Sequence, residues 1–499
     1  MFHLPSGFSC REKLVRFGLM TLALASGTAT LSAIEPSSAN RGDVRPNVLL
    51  ICVDDLRPEL RCYGKSYIES PNIDRLAQRG WLFERHYVHA PTCGASRYAL
   101  LTGRLGPPGN DALFRRAAKI RAGDTVHVSM PQWLRRHGYR TVSVGKVSHH
   151  PGGMGGSDWN DPDEYEMPES WDERILPAGP WKHPRGWMHG LANGEIRNVP
   201  AEMPIYQSIE GDDSIYPDGP SIDAAVNRLT RLANDSEPFF LAVGILRPHL
   251  PFGAPAKYMH SYRDIMLPPI PHPDRPTGKT TWHRSGEAGQ YFRFGKQFDD
   301  AEFADAMRRH YAACVSYADA SVGRLMSALE NTSVADDTTV VLWGDHGWHL
   351  GEHGVWGKHT LFEESLHSPL IIVPPKSTFS PDMHPSGSRV RELVSTIDVF
   401  PTLCELSKIE PPPSLPGSSL VSRDKDPPSR PAAVVAYHRG HRTLRTETHR
   451  IILHRDGFVE LYDHRADPGE TRNVAEEKSE VVGRLRSALN ARLTSAMPH

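Results

Sequence analysis

Four apolar runs in this chain each end in side chains able to bind an ion or move a proton. Asn47 to Val53 is followed by Asp54 and Asp55. Thr141 to Gly145 leads to Lys146 and His149. Phe239 to Gly244 leads to Arg247, Pro248 and His249, and Thr339 to Gly344 leads to Asp345 and His346. Ligands of open α/β sheets sit beyond the carboxyl ends of strands, so four such endings argue for a single site. Asp54, Asp55 and Asp345 offer hard oxygen ligands, and His346 completes a set for one divalent cation: Ca²⁺ first, with Mg²⁺ or Mn²⁺ as alternatives. Three crowded carboxylates repel, and a bound cation relieves that repulsion. Lys146, His149, His249, Lys358 and Arg97 bring positive or hydrogen-donating groups to the same edge, so the substrate centre should be an oxyanion.

A nucleophile is offered by Cys93, in Pro91-Thr92-Cys93-Gly94-Ala95-Ser96-Arg97, just before the short helical stretch from Tyr98 to Gly103. A helix N-terminus is a ready anion seat. The segment resembles the signature of the type I sulfatases, Cys-x-Pro/Ala-Ser-Arg followed by an apolar pair and Thr-Gly, with Cys93, Ser96, Arg97 and Thr102-Gly103 as the matching residues. The resemblance implies that a maturation enzyme oxidises Cys93 to formylglycine and that residue 93 faces the cation. Its hydrate would attack sulfur, activated by the cation and by Asp345 or Asp55. Lys146, Lys358 and Arg97 would hold the sulfate oxygens. His249, with Lys358 as runner-up, would protonate the leaving oxygen, and His149 would help expel sulfate.

Within that family the chain is most similar to iduronate-2-sulfatases. The resemblance rests on Gly145 to His149, Arg247 to Phe252, and Gly344 to Gly354 with Lys358 shortly after. It runs from about Asn47 to Asp467-Pro468, nearly the whole chain beyond the N-terminal segment. A sulfated carbohydrate, with a sulfated uronate leading, is the substrate this implies.

The elements that must position these residues follow from pattern. Unbroken apolar runs suit strands buried on both faces of a sheet. Tyr311, Cys314, Val315, Ala318, Val322, Leu325, Met326 and Leu329 share helical spacing and feed the strand at 339 to 343. The fold class expected is α/β: an alkaline-phosphatase-like large mixed sheet flanked by helices, with a smaller C-terminal α+β subdomain. Segments 152–220 and 268–296 read as long excursions. The proline-rich stretch from Pro411 to Pro431 marks a boundary, giving a catalytic domain over 44–431 and a C-terminal subdomain over 432–499. That tail has strand candidates at Val434 to Tyr437, Ile451 to His454 and Val459 to Tyr462, and a last helix with Val481, Leu485, Leu489 and Leu493 on one face.

Arg11, Lys13 and Arg16 precede a mildly apolar stretch from Phe17 to Ala33, which reads as a signal peptide over 1–33. An exported protein is expected, periplasmic or extracellular in a bacterium and lysosomal or secreted in a eukaryote, with no membrane span in the mature chain. The 57 Lys+Arg against 59 Asp+Glu give no electrostatic reason to expect a nucleic-acid partner. Six scattered cysteines form neither a zinc framework nor a disulfide scaffold. The 41 Gly, 43 Pro and 26 His suit a loop-rich enzyme.

Other readings compete. A sulfatase acting on a neutral sulfated polysaccharide keeps the chemistry and changes the sugar. A phosphatase or phosphonate hydrolase of the same superfamily keeps the fold, but a two-metal phosphatase needs a second ligand set and usually a Ser or Thr nucleophile. An inactive carbohydrate-binding relative should have lost the Cys or a carboxylate. Trp159, Trp171, Trp181 and Trp187 could form a sugar-stacking wall, though loop aromatics more often build the loops' own small cores.

Overall fold

The structure is a computed structural model that describes residues 45–150, 165–278, 285–421 and 433–496. The expected signal peptide, Trp159 and the second half of the proline-rich boundary, from residue 422 on, lie outside these residues.

The central sheet is the large mixed one expected. Its strands are β1 (Asn47–Val53), β2 (Trp81–Tyr87), β3 (Arg140–Gly145), β4 (Glu173–Ile175), β5 (Phe239–Ile245), β6 (Thr338–Gly344), β7 (Leu370–Val373) and β8 (Ser388–Ser395), in the order β8-β2-β7-β6-β1-β5-β3-β4. Only β7 runs antiparallel to its neighbours. β1 pairs in parallel with β5 on one side and β6 on the other, so the strand bearing Asp54 and Asp55 is central and the endings of β5 and β6 flank it.

Strand side chains alternate between faces, and both faces are covered. Leu49, Ile51 and Val53 pack with residues of α1 (Pro71–Arg79), α3 (Asp218–Leu232) and α4 (Ala301–Glu330). Val48, Leu50 and Cys52 pack against Leu100 and Leu101 of α2 (Cys93–Thr102) and Phe400 and Leu403 of α5 (Val399–Leu406). This two-sided burial is why the strands read as continuous apolar runs.

The smaller subdomain is an antiparallel sheet of β9 (Ala433–His438), β10 (His441–Thr446), β11 (His449–Leu453) and β12 (Val459–Asp463), with α6 (Ser479–Ala496) laid on it. The sequence reading missed β10, whose only large apolar side chain is Leu444. Pairing with strands on both sides supplies what its composition does not. Leu485, Leu489 and Leu493 are buried as their spacing requires. Trp181 and Trp187 are buried with Met188 and Leu246 in a small loop core, and Trp171 stacks on Phe240, so these three form no open wall.

Candidate active site

The four strand endings named above converge at the carboxyl edge of the sheet. At the end of β1, Asp55 takes a left-handed backbone conformation, φ 58°. At the end of β3, Gly145 pairs with Gly244 of β5, and an added Cβ would stand 2.3 Å from the Gly244 carbonyl oxygen. The two glycines let the chain cross closely there, so that Lys146 turns in over Asp54.

Cys93 is the first residue of α2, with Thr92 as its cap, so the helix begins five residues earlier than Tyr98, where the periodicity placed it. The small residues Gly94, Ala95 and Ser96 carry no apolar signal, yet they pack without a gap, and the Ser96 hydroxyl donates to the Asp345 carbonyl. Cys93 Sγ lies 3.2 Å from His346 Nε2 and 3.3 Å from Lys358 Nζ. One ligand atom each from Asp54, Asp55, Cys93 and His346 falls within 4.8 Å of the others. Asp345 is set slightly back: Oδ1 accepts from the Asp55 N–H at 2.9 Å and stands 3.6 Å from His346 Nε2.

The residues fit a hard divalent cation. Asp55 Oδ2 is buried and has no hydrogen-bond donor among the described residues, a vacancy of pairing that an ion satisfies. Burial lowers His346 to about 4, with Lys358 adding to the effect, which keeps the imidazole neutral as a ligand must be. Burial and the charge of Asp54 raise Asp345 to about 7 against Arg97. Burial also opposes ionisation of Asp54, but Lys146, His249 and Arg97 outweigh it and hold Asp54 well below the usual carboxylate range.

Arg97 sits differently from the expectation that it grips sulfate. It is fully buried, its Nε and Nη2 donate to Asp345, its Nη2 also to Asp54, and its Nη1 to the carbonyls of Lys146 and Val147. A guanidinium has five N–H groups, and these contacts occupy them on the protein's own frame. Lys146 Nζ is paired with Asp54 Oδ2. Lys358 Nζ stands 2.7 Å from Asp55 Oδ1 and 3.3 Å from Glu287 Oε1.

His249 Nδ1 lies 2.6 Å from the Leu250 carbonyl and Nε2 lies 3.3 Å from Glu287 Oε1, so both ring nitrogens face acceptors. Arg247, read beside it in the sequence, turns inward and ties the loop through the carbonyls of Gly190, His249 and Gly253. His149 stands at the margin: its ring lies against His150, centroids 4.2 Å apart, and its Nδ1 has no partner among the described residues.

Glu287 was not visible to sequence reasoning. It belongs to a long excursion, ends no strand and carries no motif, yet it touches both His249 and Lys358. Burial would raise its pKa, but Lys358 and His249 hold it well below the usual range. Asp55, His249 and Glu287 also bring ligand atoms within 4.8 Å of one another. The Lys358 ammonium, in contact with both carboxylates, already supplies the positive charge there. Apart from Glu287, the carboxylates Asp54, Asp55 and Asp345 are matched by Arg97, Lys146 and Lys358, and a divalent cation added to that set leaves positive charge for an entering oxyanion.

Residues 46–409 match the sulfatase family, and residues 351–497 match the C-terminal region of N-sulphoglucosamine sulphohydrolases. Human iduronate 2-sulfatase is 32% identical over 436 residues, covering 81% of this chain and 76% of that protein. A protein solved with its substrate D-glucosamine-2-N,6-O-disulfate superposes with a TM-score of 0.68 at 20% identity, covering 91% of this chain and 98% of the other. The phosphonate monoester hydrolase of Agrobacterium radiobacter gives 0.66 at 24% identity, covering 90% and 96%. Those two likenesses speak to the fold, which is the alkaline-phosphatase-like one expected. The family match spans most of the chain and takes in Asp54, Asp55, Cys93, Lys146, His249, Asp345, His346 and Lys358. The chain belongs to the sulfatase family.

Proposed function

We propose that this protein hydrolyses a sulfate ester of a carbohydrate through formylglycine made from Cys93, and that the sugar is a uronate of the iduronate type. The observation that carries the reading is the position of Cys93: first residue of a helix, with Lys358, His346, Asp54 and Asp55 around its Sγ. Formylglycine there supplies, as its hydrate, a hydroxyl to attack sulfur and a second whose deprotonation releases sulfate and restores the aldehyde. A cation held by Asp54, Asp55, His346 and residue 93, with Asp345 beside them, supplies positive charge to the ester oxygens.

The chain's own groups have separate tasks. Lys146 and Lys358 present ammonium groups to the sulfate oxygens, each oriented by a carboxylate. Arg97 acts through Asp54 and Asp345, fixing both carboxylates. His249 hands a proton to the leaving sugar oxygen. Its contacts with the Leu250 carbonyl and Glu287 fix the orientation of the ring for that transfer. His149, with one nitrogen unpaired, takes the proton from the second hydroxyl. Glu287 holds His249 and Lys358 in mutual register.

Lys358 is shared between Asp55 and Glu287, so it is not the group that takes the uronate carboxylate. That role suits Arg197, half-buried over the Tyr291 ring at 5.0 Å and without a carboxylate partner among the described residues. Tyr291 Oη lies 3.1 Å from His189 Nδ1, and the His189 ring is 5.7 Å from that of His249, so a chain of side-chain contacts links Arg197 to His249.

A two-metal phosphatase is the weaker reading, because the Lys358 ammonium supplies charge where a second cation would sit. We also read the first 33 residues as an export signal, to be checked by sequencing the N-terminus of the mature protein. Mass spectrometry of the peptide containing residue 93, with desulfation assays on defined sulfated disaccharides, tests the main proposal. An unmodified thiol in fully active enzyme would sink the formylglycine assignment, and a preference for a neutral sugar sulfate would sink only the uronate.

A further inference from the structure

Away from the residues assigned to sulfate hydrolysis, three side chains from separate segments meet: His272 of the 268–278 excursion, His353 of the turn Glu352–Gly354, and Glu364 of the short helix Glu363–Leu366. One ligand atom from each lies within 4.8 Å of the other two. His272 Nε2 is 2.7 Å from Glu364 Oε1, His353 Nε2 is 3.7 Å from Glu364 Oε2, and the two imidazole centroids are 4.8 Å apart.

His353 is wholly buried, yet neither of its ring nitrogens has a hydrogen-bond partner among the described residues, and neither has Glu364 Oε2. Buried polar atoms are almost always paired, yet the acceptor facing this imidazole, Glu364 Oε2, stands at 3.7 Å, beyond hydrogen-bond reach, so the ring has given up water without a close partner in return. The His272 to Glu364 hydrogen bond satisfies only Oε1 and does nothing for His353. Stacking on Phe362, centroids 4.4 Å apart, fixes the His353 ring in place. The neighbouring His349 is no part of the group: its nitrogens are taken by the Glu352 carbonyl at 3.2 Å and the Thr360 hydroxyl at 2.8 Å.

We propose that His272, His353 and Glu364 form a second, structural binding site for a divalent cation of borderline softness, with zinc as the ion. Two imidazoles and one carboxylate are a zinc-type donor set, whereas Ca²⁺ and Mg²⁺ favour oxygen ligands throughout. His272 keeps 18% of its side chain exposed, which leaves a path for the ion and room for a water as fourth ligand. The ion would clip the 268–278 excursion to the segment that carries His346 and Lys358. The backbone already closes the same distance, with the His353 N–H donating to the His272 carbonyl at 2.9 Å.

The test is zinc binding to the full mature chain saturated with Ca²⁺, read by metal analysis after dialysis and by the shift in melting temperature. The wild type should retain about one equivalent of zinc and melt higher with it. Glu364→Gln and His272→Ala should each retain none and show no zinc-dependent shift, while keeping the catalytic cation. His272 is partly exposed on a loop, so its variant should fold even if the Glu364 variant does not. Zinc that fails to bind, or that binds equally to both variants, overturns the proposal.

Discussion

Arg97 donates to a single oxygen of Asp345 through two nitrogens, Nε at 3.1 Å and Nη2 at 2.9 Å, and neither residue touches solvent. Breaking a buried pair by removing one partner leaves an uncompensated charge and typically costs about 3–5 kcal/mol. Arg97→Met should therefore lower stability by that order as well as abolish turnover, because Asp54 and Asp345 lose their shared anchor. Urea denaturation decides: a variant as stable as wild type would mean that Arg97 serves the substrate alone.

Removing the cation should destabilise the chain, not only silence it. Asp54, Asp55 and Asp345 are crowded at one edge, and an ion that binds only the folded state stabilises by about 2.7 kcal/mol at a hundred times its dissociation constant. Chelation should lower the melting temperature and abolish sulfate release, and Ca²⁺ should restore both. Asp55→Asn should show little response to either treatment.

Glu287 should matter for the leaving group. Glu287→Gln removes the negative charge that faces both His249 Nε2 and Lys358 Nζ, and should lower kcat on sugar sulfates about tenfold or more. An aryl sulfate, whose phenolate leaves without protonation, should lose much less. Equal losses on both substrates would assign Glu287 to sulfate binding through Lys358 instead.

Arg197 should set the uronate preference. A charge-assisted hydrogen bond to the sugar carboxylate contributes about 1.5–3 kcal/mol, roughly ten- to a hundredfold in kcat/KM. Arg197→Ala should shrink the ratio of uronate to neutral sugar sulfate by that factor, whereas Lys358→Ala should slow both and leave the ratio nearly unchanged. Steady-state kinetics on the paired substrates separates the two.

Asp319 makes stability depend on pH away from the site. Its carboxylate accepts from the N–H groups of Asn72 and Ile73 at the start of α1, but burial raises it from 3.8 to about 6. The folded chain then holds the proton more tightly than the unfolded one, so this contribution is full below pH 3.8 and is lost as the pH rises through about 6. The loss amounts to roughly 3 kcal/mol at most. Asp319→Asn should flatten that part of the stability curve in denaturation series across the window.

The candidate site residues were legible because they follow runs whose burial on both faces leaves no polar alternation, so each run's end is sharp. Asp54, Asp55, Lys146, His249, Asp345 and His346 were all found that way. Cys93 was legible because its neighbours spell a motif, although the helix start at that residue was hidden by small side chains. In the fold, β1 and β6 carried enough apolar signal to be read, and β10 did not.

What the sequence by itself determined is which groups stand at the sheet's carboxyl edge, since strand order matters little once the four strands that carry them run parallel. Only the tertiary structure decided who pairs with whom. That Arg97 is consumed by carboxylates, that Lys358 is shared between Asp55 and Glu287, and that His272 meets His353 and Glu364 depend on the paths of long loops. Those paths are fixed by packing and by buried charges finding partners, contacts between residues tens to hundreds of positions apart that no local spacing encodes.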